Sequence, residues 1–293
     1  MDVAEGPLFV FGDSLCDVGN AWRLVGDGAV PSPPHWQGRR CNGPLWVEIL
    51  AGQLGWTPLE PSLAGGTDHA YGGARSGAGL SPKGVPNLLE QVDRCLDSYA
   101  GAPLDDGALV VVRAGANDYL DGETDWERAE AINANLVAAV CALAQVGARR
   151  FLVPTELPWG VSPIVPPSYG TAQRQAFDAL IDQQNQGLAR SLRELAQQRG
   201  LQVWQPDFNG LLRAALTDPH SYGLVEVVRP VLQEAQAATP APRVPDATGF
   251  LWWDRRAHFC TTFHQRLADL ALACLSAAPM AGPIAHGAGP IGA

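Results

Sequence analysis

Uninterrupted apolar runs alternate along this chain with stripes of apolar residues at helical spacing. The first run, Leu8 to Phe11, has the character of a strand buried on both faces, and it stops at Gly12-Asp13-Ser14. A second run, Ala108 to Ala114, is apolar except at Arg113 and predicts a central parallel strand. Shorter runs predict strands over 150–154 and 201–204, and a short strand ends at the paired glycines Gly72-Gly73. Between these runs the apolar positions recur every three or four residues. Pro44 suits a first helical turn, and Leu45, Ile49 and Leu50 predict a helix over 44–54. Leu88, Leu89, Val92 and Leu96 predict one over 86–100, and Ile132, Leu136, Val140 and Leu143 one over 125–147. A long stripe from Phe177 to Leu195 predicts a helix over 171–199, and Thr261 or Thr262 is placed to cap a last helix ending at Leu275. Strands alternating with helices predict an α/β fold, a three-layer α/β/α sandwich around a mostly parallel five-stranded sheet.

The segments outside this pattern are rich in Pro, Gly and Trp. They cover 21–42, 155–169 and 217–250, and the last two are expected to border a cleft at the carboxyl edge of the sheet. From Ala277 the chain is rich in Gly, Ala and Pro and is expected to be a disordered tail, leaving 1–276 as a single domain.

Composition narrows the function. The chain has 293 residues, 46% hydrophobic and 17% charged, with a formal net charge of −10, so it is expected to be globular and no basic face for nucleic acid is expected. No apolar run approaches the length needed to span a bilayer. Met1 to Gly6 carries acidic residues and no basic stretch, so the expectation is a cytoplasmic protein without a signal peptide; a mature secreted form behind a new Met would look the same. The six cysteines form no C-x-x-C pair and are expected to be free thiols, and no His/Cys/Asp cluster has metal-ligand spacing, so neither metal nor cofactor is expected.

The candidate chemistry lies where strands end. Ser14 follows the first strand, Gly72 and Gly73 the second, and Asn117 the third, within Gly115-Ala116-Asn117-Asp118. Asp254 and His258 precede the last helix within Trp253-Asp254-Arg255-Arg256-Ala257-His258. Taken singly, each is as well explained by a turn, a glycine bend or a helix cap. Taken in order, Gly12-Asp13-Ser14-Leu15 with Asp17-Val18-Gly19-Asn20, the Gly-Gly-Ala string at Gly72, Gly-x-Asn-Asp at Asn117 and the Asp-His string resemble the sequence blocks of the GDSL lipases and esterases, the SGNH hydrolases. Gly38-Arg39-x-x-Asn42-Gly43-Pro44-x-Trp46 resembles the bacterial lipase and plant branch of that family. For Arg39 itself, a solvated or salt-bridged loop residue is a simpler reading than a substrate contact.

The resemblance covers residues 9 to about 275 and implies a flavodoxin-like SGNH hydrolase fold acting on small-molecule or lipid esters. It implies Ser14 as nucleophile, His258 as base and Asp254 as its orienter. It implies oxyanion donors at the Ser14 and Gly72 N–H groups, with Gly73 the near rival, and at the Asn117 amide. Two departures stand in the last block: the Asp-to-His spacing is one residue longer than usual, and Phe259 replaces a proline. The extra residue leaves open whether Asp254 completes a triad or His258 works in a Ser-His dyad. A Glu156-Leu157-Pro158-Trp159 string stands where relatives often have Pro-Asp-Leu-Gly. An acyltransferase using the same acyl-serine, and a non-catalytic binding module on the same fold, are the alternatives.

Overall fold

The computed structural model describes residues 6–280 apart from 29, 121–123, 167, 234–235, 237–240 and 242. Four parallel strands form the sheet in the order β1 (Leu8–Gly12), β2 (Leu109–Arg113), β3 (Arg150–Leu152) and β4 (Gln202–Trp204). Their registers are aligned, Val10 opposite Val111 and Val111 opposite Leu152. The continuous apolar runs are explained by burial on both faces: every residue of β1 and β2 is buried, Arg113 included.

The expected second strand is reduced to a single parallel bridge between Val10 and Asp68, on the edge of β1 away from β2. Three backbone hydrogen bonds hold it: Val10 N–H to Thr67 O, His69 N–H to Val10 O, and Tyr71 N–H to Gly12 O. Asp68, whose side chain is turned to backbone N–H groups, interrupts a longer ladder. Among the described residues the sheet thus has four strands where five were expected, but with this bridge counted its spatial order is 2-1-3-4-5, the flavodoxin-like order.

Eight helices follow in the described residues: α1 (Asn20–Val25), α2 (Trp46–Gln53), α3 (Leu88–Ser98), α4 (Ala116–Leu120), α5 (Trp126–Gln145), α6 (Thr171–Arg199), α7 (Phe208–Thr217) and α8 (Thr261–Leu275). α3, α5 and α6 pack together on one face of the sheet, and α2, α7 and α8 on the other, which makes the three layers. Trp46 of α2 meets Phe208 of α7 edge-on, with ring centroids 5.1 Å apart. The main core runs unbroken from Leu8 to Leu275. No helix of the described residues is long and apolar enough to cross a membrane.

The ends of the expected elements shift by a residue or two. Cys260, not a threonine, is the N-cap of α8, and it makes no side-chain cap bond. Thr261 is the first helical residue; its N–H goes to Asn42 Oδ1 at 2.8 Å and its hydroxyl to Pro44 O at 2.9 Å. The cap is therefore supplied by the loop before α2. Ala277 and Met280 are bound to β4, through Trp204 Nε1 to Ala277 O and Met280 N–H to Val203 O. The docked chain thus extends to 280, past the expected boundary at 277; the rest of the expected tail, 281–293, lies outside the described residues.

Candidate active site

β1 ends in a tight approach to β2. A Cβ on Gly12 would lie 2.4 Å from Arg113 O, so only glycine fits there. The chain then turns through Asp13-Ser14, with Cys16 N–H and Asp17 N–H both donating to Asp13 O. Asp13 Oδ1 accepts Leu15 N–H at 3.0 Å, and Asp13 Oδ2 accepts Arg113 Nη1 at 2.5 Å. Arg113 Nη2 continues to Glu156 Oε1 at 2.9 Å. Arg113, the one polar interruption of its strand, is thus a buried tie between the nucleophile turn and the loop after β3. Burial works against its charge, but Asp13 and Glu156 outweigh that and raise its pKa. Burial pushes Glu156 up to about 7, against the pull of Arg113.

Ser14 is half-buried and reaches His258: Oγ and Nε2 are 2.8 Å apart. His258 Nδ1 lies 2.8 Å from both Asp254 carboxylate oxygens. Burial raises the Asp254 pKa, but His258, with Arg40 and His35, holds it below the usual carboxylate range. The extra residue between the two is absorbed by a hairpin. Trp252 and Phe259 pair antiparallel, Trp253 N–H bonds His258 O, and Cys260 N–H bonds Leu251 O. Asp254-Arg255-Arg256-Ala257 turns the corner with Ala257 at φ 61°, a left-handed conformation that costs an alanine roughly 1–2 kcal/mol. Asp254 Oδ1 also accepts Arg256 N–H at 2.9 Å, so the carboxylate is fixed by its own turn.

The glycine pair carries a correction. Gly72 N–H is donated to Asp17 Oδ2 at 2.7 Å. That carboxylate also collects the N–H groups of Gly19, Asn20 and Ala21, and it ties the first loop to the second. The Gly72 N–H is therefore spent on the scaffold and not open to a ligand. Gly73, at φ 94°, lines the same cavity as Ser14, Asn117 and His258, and its N–H has no partner among the described residues. Ser14 N–H likewise has none there. Asn117 is the second residue of α4; its Nδ2 gives one proton to Ala74 O at 2.9 Å. Next to it, Asp118 binds both the N–H and the hydroxyl of Ser76, which clamps the glycine loop to α4.

His264, six residues past His258, is wholly buried in α8, and its Nδ1 accepts Trp46 N–H at 3.2 Å. Burial lowers its pKa to about 3, so it is a neutral packing residue. Arg39 is held by Glu48 at 2.7 Å, as its loop position suggested. All six cysteines are free thiols. Among the described residues no three His, Cys, Asp or Glu side chains converge as metal ligands.

The cavity above Ser14 has a volume of about 830 Å³. Trp159, Val165, Pro166 and Tyr169 of the loop after β3 form one wall, as expected for 155–170. Of the described residues in 217–250, Leu232 alone lines an adjoining cavity, so that segment borders the cleft far less than expected. Sequence reasoning did not assign Arg113, Asp17 or Asp118 as the ties that fix this site, although Asp17 and Asp118 stood inside the motif blocks and Arg113 as a charge in an apolar run.

The sequence profile of the GDSL-like Lipase/Acylhydrolase family matches residues 8–270. A phosphatidylcholine-sterol acyltransferase of Aeromonas hydrophila is 34% identical over 116 residues, covering 39% of this chain and 32% of that protein. A GDSL esterase/lipase of Arabidopsis thaliana is 29% identical over 215 residues, covering 59% of this chain and 55% of that protein. The chain thus spans about a third and about half of the lengths of these two relatives. The solved structure of LAE5, an alpha/beta hydrolase enzyme from the metagenome of Lake Arreo, superposes with TM-score 0.47 at 16% identity, covering 94% of this chain and 98% of that one. On the profile match and the ordered motifs that fill it, the chain belongs to the GDSL-like lipase/acylhydrolase family.

Proposed function

We propose that this protein is a serine ester hydrolase working through an acyl-enzyme. The observation that carries the reading is the Ser14–His258–Asp254 chain of hydrogen bonds opening on a cavity. His258 Nε2 takes the Ser14 hydroxyl proton as Oγ bonds the ester carbonyl carbon. Asp254 holds the imidazole through Nδ1–H and balances its charge. Ser14 N–H, Gly73 N–H and the second Asn117 amide proton face the developing oxyanion, Gly73 standing in for Gly72. The tetrahedral adduct collapses; the alcohol C–O bond breaks and the imidazolium proton leaves with the alcohol. Water then attacks the acyl-serine, giving its proton to His258, and the acid is released as Ser14 recovers its proton.

An alcohol in place of water gives acyl transfer through the same intermediate. The resemblance to a relative named for acyl transfer supports keeping this second reading. A p-nitrophenyl ester series of increasing acyl length, run with and without an added alcohol acceptor, tests both. Hydrolysis supports the first reading, a new ester product the second, and inertness toward every ester contradicts both.

A further inference from the structure

The glycine pair forms the corner of a four-residue turn, Tyr71 to Ala74, closed by Ala74 N–H donating to Tyr71 O at 3.0 Å. Gly72 has a negative φ and Gly73 a φ of 94°, the pattern of a type II turn. The peptide between the two glycines carries the Gly73 N–H. A half-turn of that peptide converts type II into type I and carries the N–H to the opposite face of the turn. Glycine accepts either backbone, so the two residues themselves do little to choose. Hydrogen bonds do not choose either. Among the described residues neither Gly72 O nor Gly73 N–H has a partner. The bonds that hold the turn, Gly72 N–H to Asp17 and Ala74 N–H to Tyr71 O, are compatible with both forms.

The side chain lying against this peptide is Lys83. A Cβ built on Gly73 would be 2.5 Å from Lys83 Cδ, 3.4 Å from Cε and 3.2 Å from Nζ, so the stem runs flat across the Gly73 α-carbon. A tight turn presents it: Ser81 N–H bonds Val85 O, Gly84 N–H bonds Ser81 O, and Lys83 N–H bonds Ser81 Oγ at 3.2 Å. That turn is fastened to the glycine turn. Val85 packs in one buried cluster with Tyr71 and Ala74, the two ends of the glycine corner. Asn87 Oδ1 takes Arg75 N–H and its Nδ2 gives to Ala78 O, both at 2.9 Å. Lys83 is exposed and has a further partner within the fold. What it brings to Gly73 is therefore an aliphatic stem, the part of a lysine that packs, and not an unpaired charge.

Resting on the ester-hydrolase reading with Gly73 as an oxyanion donor, we propose that Lys83 is a positioning residue whose stem clasps the Gly72–Gly73 peptide and keeps the Gly73 N–H facing the cavity of Ser14. In the flipped turn the Gly72 carbonyl takes the place of that N–H. A carbonyl oxygen repels the developing oxyanion that an N–H stabilises. Lys83 thus selects between a donor and an acceptor at one spot beside the nucleophile, without touching the reacting atoms.

A matched pair of substrates tests this: p-nitrophenyl butyrate and its thionoester, in which sulfur replaces the carbonyl oxygen. Sulfur accepts hydrogen bonds poorly, so the ratio of the two kcat/KM values reads the oxyanion donors apart from the rest of the site. Release of p-nitrophenolate is followed with enzyme in excess, so that slow acylation of Ser14 is still read. Lys83→Ala should lower the oxo-to-thiono ratio by about tenfold, a part of the 10²–10³ that losing one donor costs, while the thionoester rate stays near wild type. Gly73→Ala should lower the ratio further. Lys83→Met keeps an unbranched stem without the charge and should bring the ratio back to within about threefold of wild type. An unchanged ratio in Lys83→Ala, equal losses on both esters, or a Lys83→Met ratio as low as that of Lys83→Ala overturns the proposal and leaves the hydrolase reading standing. An unchanged ratio in Gly73→Ala overturns it through the donor assignment. Failure of the wild type to hydrolyse the oxo ester overturns the hydrolase reading with it.

Discussion

His258 Nε2 stands 2.8 Å from Ser14 Oγ although 244 positions separate the two residues in the chain. The serine is carried by the turn after β1 and the histidine by a hairpin leading into α8. Two packed elements at opposite ends of the chain thus meet over one edge of the sheet.

The hairpin geometry supports the proposed triad, and kinetics separate it from a dyad. With Asp254 in contact with His258 Nδ1, Asp254→Asn should lower kcat by at least about 10²-fold, and His258→Ala by as much or more. A dyad would show less than about tenfold loss in Asp254→Asn. Steady-state kinetics of both variants on one ester settle it.

The left-handed Ala257 absorbs the residue that makes the last block irregular. Ala257→Gly relieves that strain, so its Tm and kcat should stay near wild type, the relief offset by the entropy of glycine at roughly 0.5–1 kcal/mol. Ala257→Val places a β-branched side chain at positive φ in a site that is 1% exposed, and should lower both. Equal behaviour of the two variants would contradict the role given to this turn.

The glycine assignment is tested by exchanging the pair. A Cβ at Gly72 meets only ordinary contacts, 3.4 Å to Asp17 Oδ2 and beyond, so Gly72→Ala should lose less than about tenfold in kcat. Gly73→Ala forces an alanine to φ 94° beside Lys83, and should lose about 10²-fold or more as the N–H swings from the oxyanion. Thermal unfolding of both separates catalytic loss from misfolding. The reverse order of effects would return the donor to Gly72.

Most of the fold was legible because a parallel strand buried on both faces reads as an unbroken apolar run, as in Leu8 to Phe11 and Ala108 to Val112. The strand before Gly72 was overestimated, because backbone pairing through Thr67 and His69 leaves no apolar pattern that measures its length. Ser14, Asn117 and His258, which line one cavity, were singled out by ordered motifs. The engagement of the Gly72 N–H, on which the proposal of Gly73 as donor rests, was not legible, since it turns on which N–H Asp17 takes, a contact 55 positions apart. Arg113 stood out as a charge in an apolar run, but its partners Asp13 and Glu156 come from two other strand ends and carry no shared pattern.

Glu156 gives stability a pH dependence. Buried beside Arg113, its carboxyl titrates at about 7 in the folded chain against 4.5 for the free group. Its contribution is full below about 4.5 and is lost as pH rises to 7, on the order of 3 kcal/mol. Glu156→Gln removes the titration, so urea unfolding should show wild type losing stability relative to the variant across that interval. Parallel profiles would contradict the buried, proton-holding state.

The central claim is that Ser14 is the nucleophile, and the direct measurement is peptide mapping of the protein after treatment with a fluorophosphonate. Attack by an activated serine forms a P–Oγ bond and releases fluoride. The expected result is a single adduct on Ser14, absent from a Ser14→Ala variant that keeps the wild-type unfolding curve and hydrolyses no ester. An adduct on Ser76 or Ser81 instead, or ester hydrolysis surviving in Ser14→Ala, would contradict it.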